Sequence, residues 1–271
     1  MNITRFGIRA RRIACTLFAA QLCSHAVPAA AQVFDRDYTA NADIQAQGSI
    51  GLFSDRVFRG QNLYDGSSLQ LHPQIGLNTQ IGLIYVAAFT HFAVDNTDSS
   101  MAAPRKSFNE YDFELGDKLS FDDFSIAFGQ RWYTYSRTTP RLKDTGEAFA
   151  ELETAIISHP HFTIAYDEVK HKGWYYEAGL EQPVSIGLDD ERSAVVPSVT
   201  MGMSSSLNDG SNPIYADDGI AFVDVGLKGI FGLSEGISLQ PEMHYTEEVD
   251  DATDSEFTFG LNLVGHTGGD N

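Results

Sequence analysis

Cysteine is nearly absent from this sequence. The two cysteines, Cys15 and Cys23, both lie within residues 1–31, and the rest of the chain has none. Disulfides therefore do not hold the main part of the chain together. An exported protein of this size without disulfides must be stable by other means, and a closed β-barrel is one such means.

Long hydrophobic runs are also missing after residue 31. The longest, about Leu83 to Phe89, falls well short of the 18 or more apolar residues of a transmembrane helix. This excludes helices that cross an inner membrane. It leaves an outer-membrane barrel open, because barrel strands need only about 9–11 residues with every second one apolar.

Basic residues are scarce. The chain has 18 basic and 37 acidic residues, and four of the basic ones lie in residues 1–31, which leaves 14 against 37, a net charge of −23. Such an acidic excess argues against nucleic acid as a partner. It fits a soluble acidic protein or a channel with an anionic interior and loops.

Residues 1–31 have the three parts of a secretory signal peptide. Four arginines between Arg5 and Arg12 form the basic part, Ile13 to Leu22 the short apolar part, and Ala29-Ala30-Ala31 the cleavage site. These three parts predict Sec-type export and a mature barrel domain at 32–271. The alternative is a buried N-terminal helix.

Period-two alternation is the dominant pattern of the remaining chain. Between 109 and 115, Tyr111, Phe113 and Leu115 occupy every second position, and carboxylates occupy the positions between them. Alternate residues share one face of a strand but lie about 200° apart on a helix. The pattern recurs at 69–75, 174–180, 239–245 and 257–263.

These segments predict an all-β fold, an antiparallel up-and-down transmembrane β-barrel of about twelve strands, with ten or fourteen as alternatives. A soluble antiparallel sandwich or lipocalin-like barrel is the competing fold. The predicted strands are 43–54, 67–78, 81–92, 108–117, 122–135, 147–157, 161–168, 173–185, 193–204, 218–230, 236–247 and 255–264.

The connectors between these strands alternate in length. Those at 55–66, 93–107, 136–145 and 205–217 are long, and those at 78–80, 118–121, 158–160 and 231–235 are short. Such alternation is typical of barrels with short turns at the periplasmic rim and longer loops outside. The even strand count predicts both chain termini at the short-turn rim.

The segment after the first predicted strand carries a family resemblance. Ser54-Asp55-Arg56-Val57-Phe58-Arg59-Gly60 resembles the start of the TorF family of outer-membrane porins (the Gcw_chp family), where the first strand typically ends in Ser-Asp-Tyr-x-Phe-Arg-Gly. Ser54, Asp55, Phe58, Arg59 and Gly60 match, and Arg56 replaces the usual Tyr. The resemblance implies a barrel with pore activity, and it implies no established substrate or catalytic residues.

The motif also has a physical interpretation. Phe58 is expected to anchor at the membrane interface, and Gly60 to permit a turn. Arg59 either reaches lipopolysaccharide phosphates or folds inward onto an acidic lumen. The alternative is a plain strand terminator.

Alternation places a set of charged residues on the face opposite the apolar one. In a barrel that face lines water, where carboxylates stay ionised and favour cationic or neutral solutes. The alternative is that the charges pair across strands and plug a narrow barrel. The predicted lumen residues are Glu110, Asp112, Glu114, Arg131, Glu151, Glu153, Glu177, Glu181, Asp224, Lys228 and Glu242.

Catalytic and metal signatures are weak. The sequence has one G-x-S-x-G string, Gly232-Leu233-Ser234-Glu235-Gly236, but it falls on a predicted short connector between two strands rather than on the strand-to-helix turn of a nucleophile elbow. A spatial triad cannot be read from sequence. His159-Pro160-His161 and the acidic stretch 247–254 lack the ligand sets of dedicated zinc and calcium sites. We expect no enzyme activity, no metal and no cofactor.

The predicted function is that of a cation-preferring outer-membrane porin for passive diffusion of small hydrophilic solutes. Its predicted partners are these solutes, outer-membrane lipid and lipopolysaccharide, and nucleic acid is not among them. The alternative is a closed barrel with a structural, adhesive or lipid-hydrolase role.

Overall fold

A computed structural model describes residues 44–94, 109–135, 144–170, 172–186, 193–205, 219–249 and 255–267, so the expected signal peptide lies outside the described residues. Within these ranges, no helix is long and apolar enough to span a membrane. The strands are β1 (Ile44–Phe58), β2 (Gln61–Asn78), β3 (Leu83–Ala93), β4 (Asn109–Ser120), β5 (Phe124–Tyr135), β6 (Thr145–Thr154), β7 (His161–Asp167), β8 (Trp174–Glu181), β9 (Val184–Ser185), β10 (Ser193–Ser205), β11 (Gly219–Ser234), β12 (Ile237–Glu248) and β13 (Glu256–Thr267).

The sheet closes on itself. Each long strand pairs antiparallel with the next one along the chain, and β13 pairs with β1 from Ala46↔Thr267 to Phe53↔Gly260. The predicted twelve-stranded antiparallel barrel is confirmed, with the two-residue β9 as an additional strand. The predicted strand 173–185 is divided into β8 and β9 at Pro183, a residue that has no N–H to donate to the neighbouring strand.

The outer surface of the barrel is apolar. Phe113 and Leu115 on β4, and Leu261 on β13, each leave close to half of their side-chain surface exposed. Their neighbours in sequence point inward, so the alternation places apolar groups outside and polar groups inside. This reverses the pattern of a water-soluble barrel and suits a hydrocarbon surrounding.

One rim, which we call the terminal rim, carries both ends of the described barrel and several tight turns. Thr79 donates its backbone N–H to the carbonyl of Gly82 at 2.7 Å, and Phe121 donates to Phe124 at 2.8 Å. β11 and β12 are joined by two residues, 235–236. At the opposite rim, the loop rim, β3 ends at Ala93, β5 at Tyr135 and β10 at Ser205.

The predicted long connector at 55–66 is wrong. β1 and β2 remain paired through it, from Asp55↔Asp65 to Phe58↔Gln61. The two strands therefore extend past the predicted barrel wall as one hairpin. Its end, residues 55–64, is called the hairpin tip below.

Candidate pore constriction

The hairpin tip ends in a two-residue turn. Arg59 and Gly60 connect the paired residues Phe58 and Gln61, with φ of 51° and 82°. Positive φ at both central positions is the signature of a type I′ turn, whose twist matches that of the two strands. The Arg-Gly of the sequence motif is therefore the turn itself, and the expected role of Gly60 agrees with its backbone.

Two irregularities precede the turn. The register between β1 and β2 shifts between Phe53 and Asp55 and again between Arg56 and Val57. Bulges of this kind bend a strand and increase its twist. Ser54, at the first shift, accepts the backbone N–H of Phe259 from β13 at 3.0 Å, which ties the bend to the barrel wall.

The bent tip lies inside the barrel. Phe58 has no exposed surface, and Arg59 is 3% exposed. The expected position of Phe58 at the membrane interface is wrong: its ring contacts Tyr133 of β5 edge-on, with 5.6 Å between centroids. Because both faces of the tip meet protein, the hairpin narrows the lumen near the loop rim.

Arg59 holds the end of the tip to the far wall. Its Nη2 lies 2.7 and 2.9 Å from the two carboxylate oxygens of Glu147 on β6, a residue with no exposed surface. The guanidinium also lies over the ring of Tyr175 on β8, 3.9 Å from its centroid. Tyr133 donates its hydroxyl to the same Glu147 at 2.5 Å. Of the two orientations expected for Arg59, the structure has the inward one.

Arg56 makes a second ion pair across the lumen. Its Nε donates to Glu110 of β4 at 2.8 Å, and its guanidinium lies 4.5 Å from the ring centroid of Phe89 on β3. Arg56 stands where the family motif has Tyr. The ion pair and the aromatic contact thus lie at the position where this segment departs from the TorF pattern that it resembles.

Gly60 brings the tip against the opposite side of the barrel. A Cβ at Gly60 would lie 2.4 Å from the Cβ of Phe222 on β11, closer than real Cβ contacts allow. The Phe222 ring in turn covers Gly202 of β10, where a Cβ would come within 2.1 Å of it. The hairpin tip therefore contacts walls on both sides of the lumen.

A second charged cluster lies on the wall, centred on Arg131 of β5. Its guanidinium donates to Glu114 at 2.5 Å and to Glu151 at 3.0 Å, and it lies 3.5 Å from Glu147. Tyr85 donates its hydroxyl to Glu114 at 2.7 Å. This cluster joins the wall strands to the carboxylate that holds Arg59.

The other predicted lumen residues also point inward, but they form separate groups. Lys118 pairs with Glu153 at 2.7 Å on the terminal-rim side. Glu177 accepts the hydroxyl of Tyr175, and Glu181 is buried with its Oε2 unpartnered. On the β11–β12 wall, Asp224 and Lys228 are buried, and Asp224 accepts the hydroxyl of Thr246. Glu242 accepts the side-chain N–H of Asn262 at 3.2 Å.

The predicted lumen set lacks one cation of the hairpin tip and the aromatic residues on the wall strands that surround the tip. Arg56, Tyr133, Tyr175 and Phe222 were not among the predicted lumen residues, although all four line the constriction. The available signal was the Arg-Gly pair between two alternating segments, which favours a tight hairpin turn over a loop.

Below the hairpin tip the lumen contains a cavity of about 150 Å³. The walls combine amide, hydroxyl, aromatic and charged side chains. The inward side chains around it are Gln47, Ser49, Phe53, Asp55, Arg56, Gln70, His72, Gln74, Phe89, Asp112, Glu114, Arg131, Lys228, Gln240, Glu242, His244, Thr258 and Asn262.

Among the described residues, no three His, Cys, Asp or Glu side chains come together as a metal-binding group. His159 lies in the turn after β6, and His161 begins β7, where its Nε2 lies 3.3 Å from the hydroxyl of Thr200. Most of the acidic stretch 247–254 lies outside the described residues.

No family model and no curated protein sequence matches this chain. Solved structures do match its fold. An outer membrane channel from Pseudomonas putida matches with a TM-score of 0.52 and 10% identity, covering 85% of this chain and 97% of that one. KdgM porin in complex with disordered oligogalacturonate matches with a TM-score of 0.46 and 8% identity, covering 82% and 98%.

The fold of this chain also matches that of an outer membrane enzyme. Phospholipase A from Escherichia coli matches with a TM-score of 0.46 and 9% identity, covering 85% of this chain and 93% of that one. At such low identity these matches show the outer-membrane barrel fold alone. A fold does not fix function, so function must be argued from this chain's interior.

Proposed function

We propose that this protein is a porin-like channel of a bacterial outer membrane, which passes small hydrophilic solutes by passive diffusion and has no catalytic role. The observation that carries the proposal is a closed barrel with a polar interior that narrows at one inward-folded hairpin. A hairpin that enters the lumen near one rim sets the size limit for solutes, while the rest of the interior stays polar.

The surroundings follow from the outer surface. Its apolar band is suited to membrane lipid, and the loop rim is proposed to face outward toward lipopolysaccharide. The resemblance of Ser54 to Gly60 to the TorF porins supports the same assignment, with Sec-type export preceding assembly. Membership in that family is part of the proposal.

The proposal has a second part, which is that the channel prefers cations to anions. Carboxylates outnumber cationic side chains on the described interior, and a ring of fixed negative charge raises the local concentration of cations. The interior carboxylates are Asp55, Glu110, Asp112, Glu114, Glu147, Glu151, Glu153, Asp167, Glu177, Glu181, Asp224 and Glu242, and the cations are Arg56, Arg59, Lys118, Arg131 and Lys228.

Planar lipid bilayers test both parts. Purified protein is expected to give discrete conductance steps in KCl, and a KCl gradient is expected to give a reversal potential of the sign for cation selectivity. Anion selectivity would contradict the proposed preference for cations but not the proposed channel function. Folded protein that never conducts would contradict the channel itself.

The second candidate is a closed barrel with a structural, adhesive or lipid-hydrolase role. The complete burial of Phe58 and Glu147 favours it, because a tip packed this tightly leaves little room for solutes beside it. Liposome swelling in a small polyol separates the candidates, since a closed barrel gives no swelling. Fatty-acid release from the same liposomes would identify a hydrolase.

A further inference from the structure

The cavity below the hairpin tip differs in charge from the interior as a whole. Its four carboxylates, Asp55, Asp112, Glu114 and Glu242, stand against three cations, Arg56, Arg131 and Lys228. Several of these are already paired, as Arg131 is with Glu114 at 2.5 Å. A nearly balanced site offers little net attraction to a charged solute, and it retains many polar atoms.

Amide side chains supply the distinctive chemistry of the cavity. Gln70 donates its Nε2 to the hydroxyl of Ser68 at 3.3 Å, and Gln240 donates to Ser238 at 2.9 Å. In both cases the serine lies two residues earlier on the same face of the strand. Asn262 is held by Glu242 at 3.2 Å. These bonds fix the amides before any solute arrives, which reduces the entropy lost on binding.

Amides and hydroxyls are complementary groups. An amide carries both donors and an acceptor, and each hydroxyl of a solute also donates and accepts. A wall with amides on β2, β12 and β13 therefore satisfies several hydroxyls of one molecule without requiring a charge on it.

Phe53 provides an apolar surface in the same wall. Its ring lies over the backbone of Gly51 and Gly260, where added Cβ atoms would come within 2.8 and 2.3 Å of ring carbons. The two glycines thus allow the ring to lie against the barrel wall, at the edge of the cavity. An aromatic ring beside fixed polar groups is the usual composition of a small-molecule site.

We propose that this cavity binds a neutral polyhydroxylated solute, a small sugar or polyol, on its way through the barrel. The cavity has room for on the order of ten water molecules, which suits a solute of one or two sugar rings. Gln70, Gln240 and Asn262 hydrogen-bond its hydroxyls, and Phe53 contacts its C–H face. The inference rests on the proposed channel function, since the solute must reach the cavity through the lumen.

The test is current block in planar bilayers. Sucrose added to the chamber is expected to reduce the KCl current of the wild-type channel with a saturating dose dependence. A polyethylene glycol of matched size, which lacks the hydroxyl array, is expected to give a non-saturating reduction. Galacturonate, a single-ring sugar with a negative charge, is expected to block more weakly than galactose, its neutral counterpart of the same ring size.

Three variants locate the block. Gln240→Ala and Phe53→Ala are expected to raise the half-blocking sucrose concentration about threefold to tenfold, the range for one lost hydrogen bond or apolar contact. Gln130→Ala is the matched control, because Gln130 is an amide on the outer side of the barrel that bonds Glu168 at 3.0 Å.

The outcomes separate the two proposals. A channel that conducts, with equal and non-saturating effects of sucrose and the glycol, overturns the neutral-solute site and leaves the channel intact. Block by galacturonate that equals or exceeds block by galactose overturns the assignment to neutral solutes, and unchanged block in both cavity variants overturns the location. Absence of any conductance in folded protein overturns the channel and this inference together.

Discussion

Replacing Arg59 by alanine is expected to release the hairpin tip and widen the channel. The substitution removes both bonds to Glu147, at 2.7 and 2.9 Å, and the stacking of the guanidinium on Tyr175 at 3.9 Å. It also leaves a carboxylate with no exposed surface beside an empty volume.

The size of the effect follows from burial. Removing one partner of a buried ion pair costs about 3–5 kcal/mol, because the remaining charge is left desolvated. Glu147 keeps the hydroxyl of Tyr133 at 2.5 Å and Arg131 at 3.5 Å, so the lower end of that range applies. About 3 kcal/mol changes the ratio of packed to released tip by about a hundredfold.

Single-channel recording and thermal unfolding together measure this change. Arg59→Ala is expected to conduct more than wild type and to unfold at lower temperature while keeping its β-sheet circular dichroism. In Arg59→Ala/Glu147→Gln the buried charge that lost its main partner is also gone, so part of the lost stability returns and the conductance stays high. Wild-type conductance and unfolding temperature in Arg59→Ala would refute the view that this pair holds the constriction.

Three further expectations concern the turn, the outer surface and the interior charge. Gly60→Ala is expected to raise conductance and lower the unfolding temperature, because its Cβ meets Phe222; Gly219→Ala, where φ is +140° and nothing lies within 4 Å, is the control that leaves conductance unchanged. Leu115→Arg on the lipid-facing side is expected to cost about 2–4 kcal/mol in folding into vesicles, measured by urea titration, and an unchanged midpoint would contradict a membrane surface there. Glu181→Gln is expected to lower the potassium-to-chloride permeability ratio in reversal-potential measurements, and an unchanged or higher ratio would count against this carboxylate as a source of selectivity.

The wall of the barrel was predictable from sequence because one face of each wall strand points into the barrel and the other points to its outer surface. On β4, alternation alone places Tyr111, Phe113 and Leu115 outside and Glu110 and Asp112 inside, as the structure has them. A charge on the outer face would be expensive in lipid, so the two faces cannot be exchanged. Tyr85 of β3 faces inward as well, where its hydroxyl donates to Glu114.

The hairpin tip was not predictable by the same rule. Arg56, Val57, Phe58 and Arg59 are all at most 5% exposed, so successive residues are buried and no period of two remains. A hairpin inside a lumen is surrounded by protein on both faces, and two register shifts rotate its side chains further. Asp, Asn and Gly in 55–66 then resemble the composition of a loop, which is how the connector was misassigned.

The partners of the tip depend on distance in space rather than on local pattern. Arg59 and Glu147 are 88 residues apart, and the interior offers many carboxylates of the same type. Glu147 is selected by its height along the barrel, because it lies on β6 beside the turn at the end of the hairpin. There it already contacts Tyr133 and Arg131, and Arg59 provides a second cation for this buried carboxylate. The length of the hairpin sets that level, so lengthening or shortening β1 and β2 by two residues should break the pair while leaving every wall strand in register.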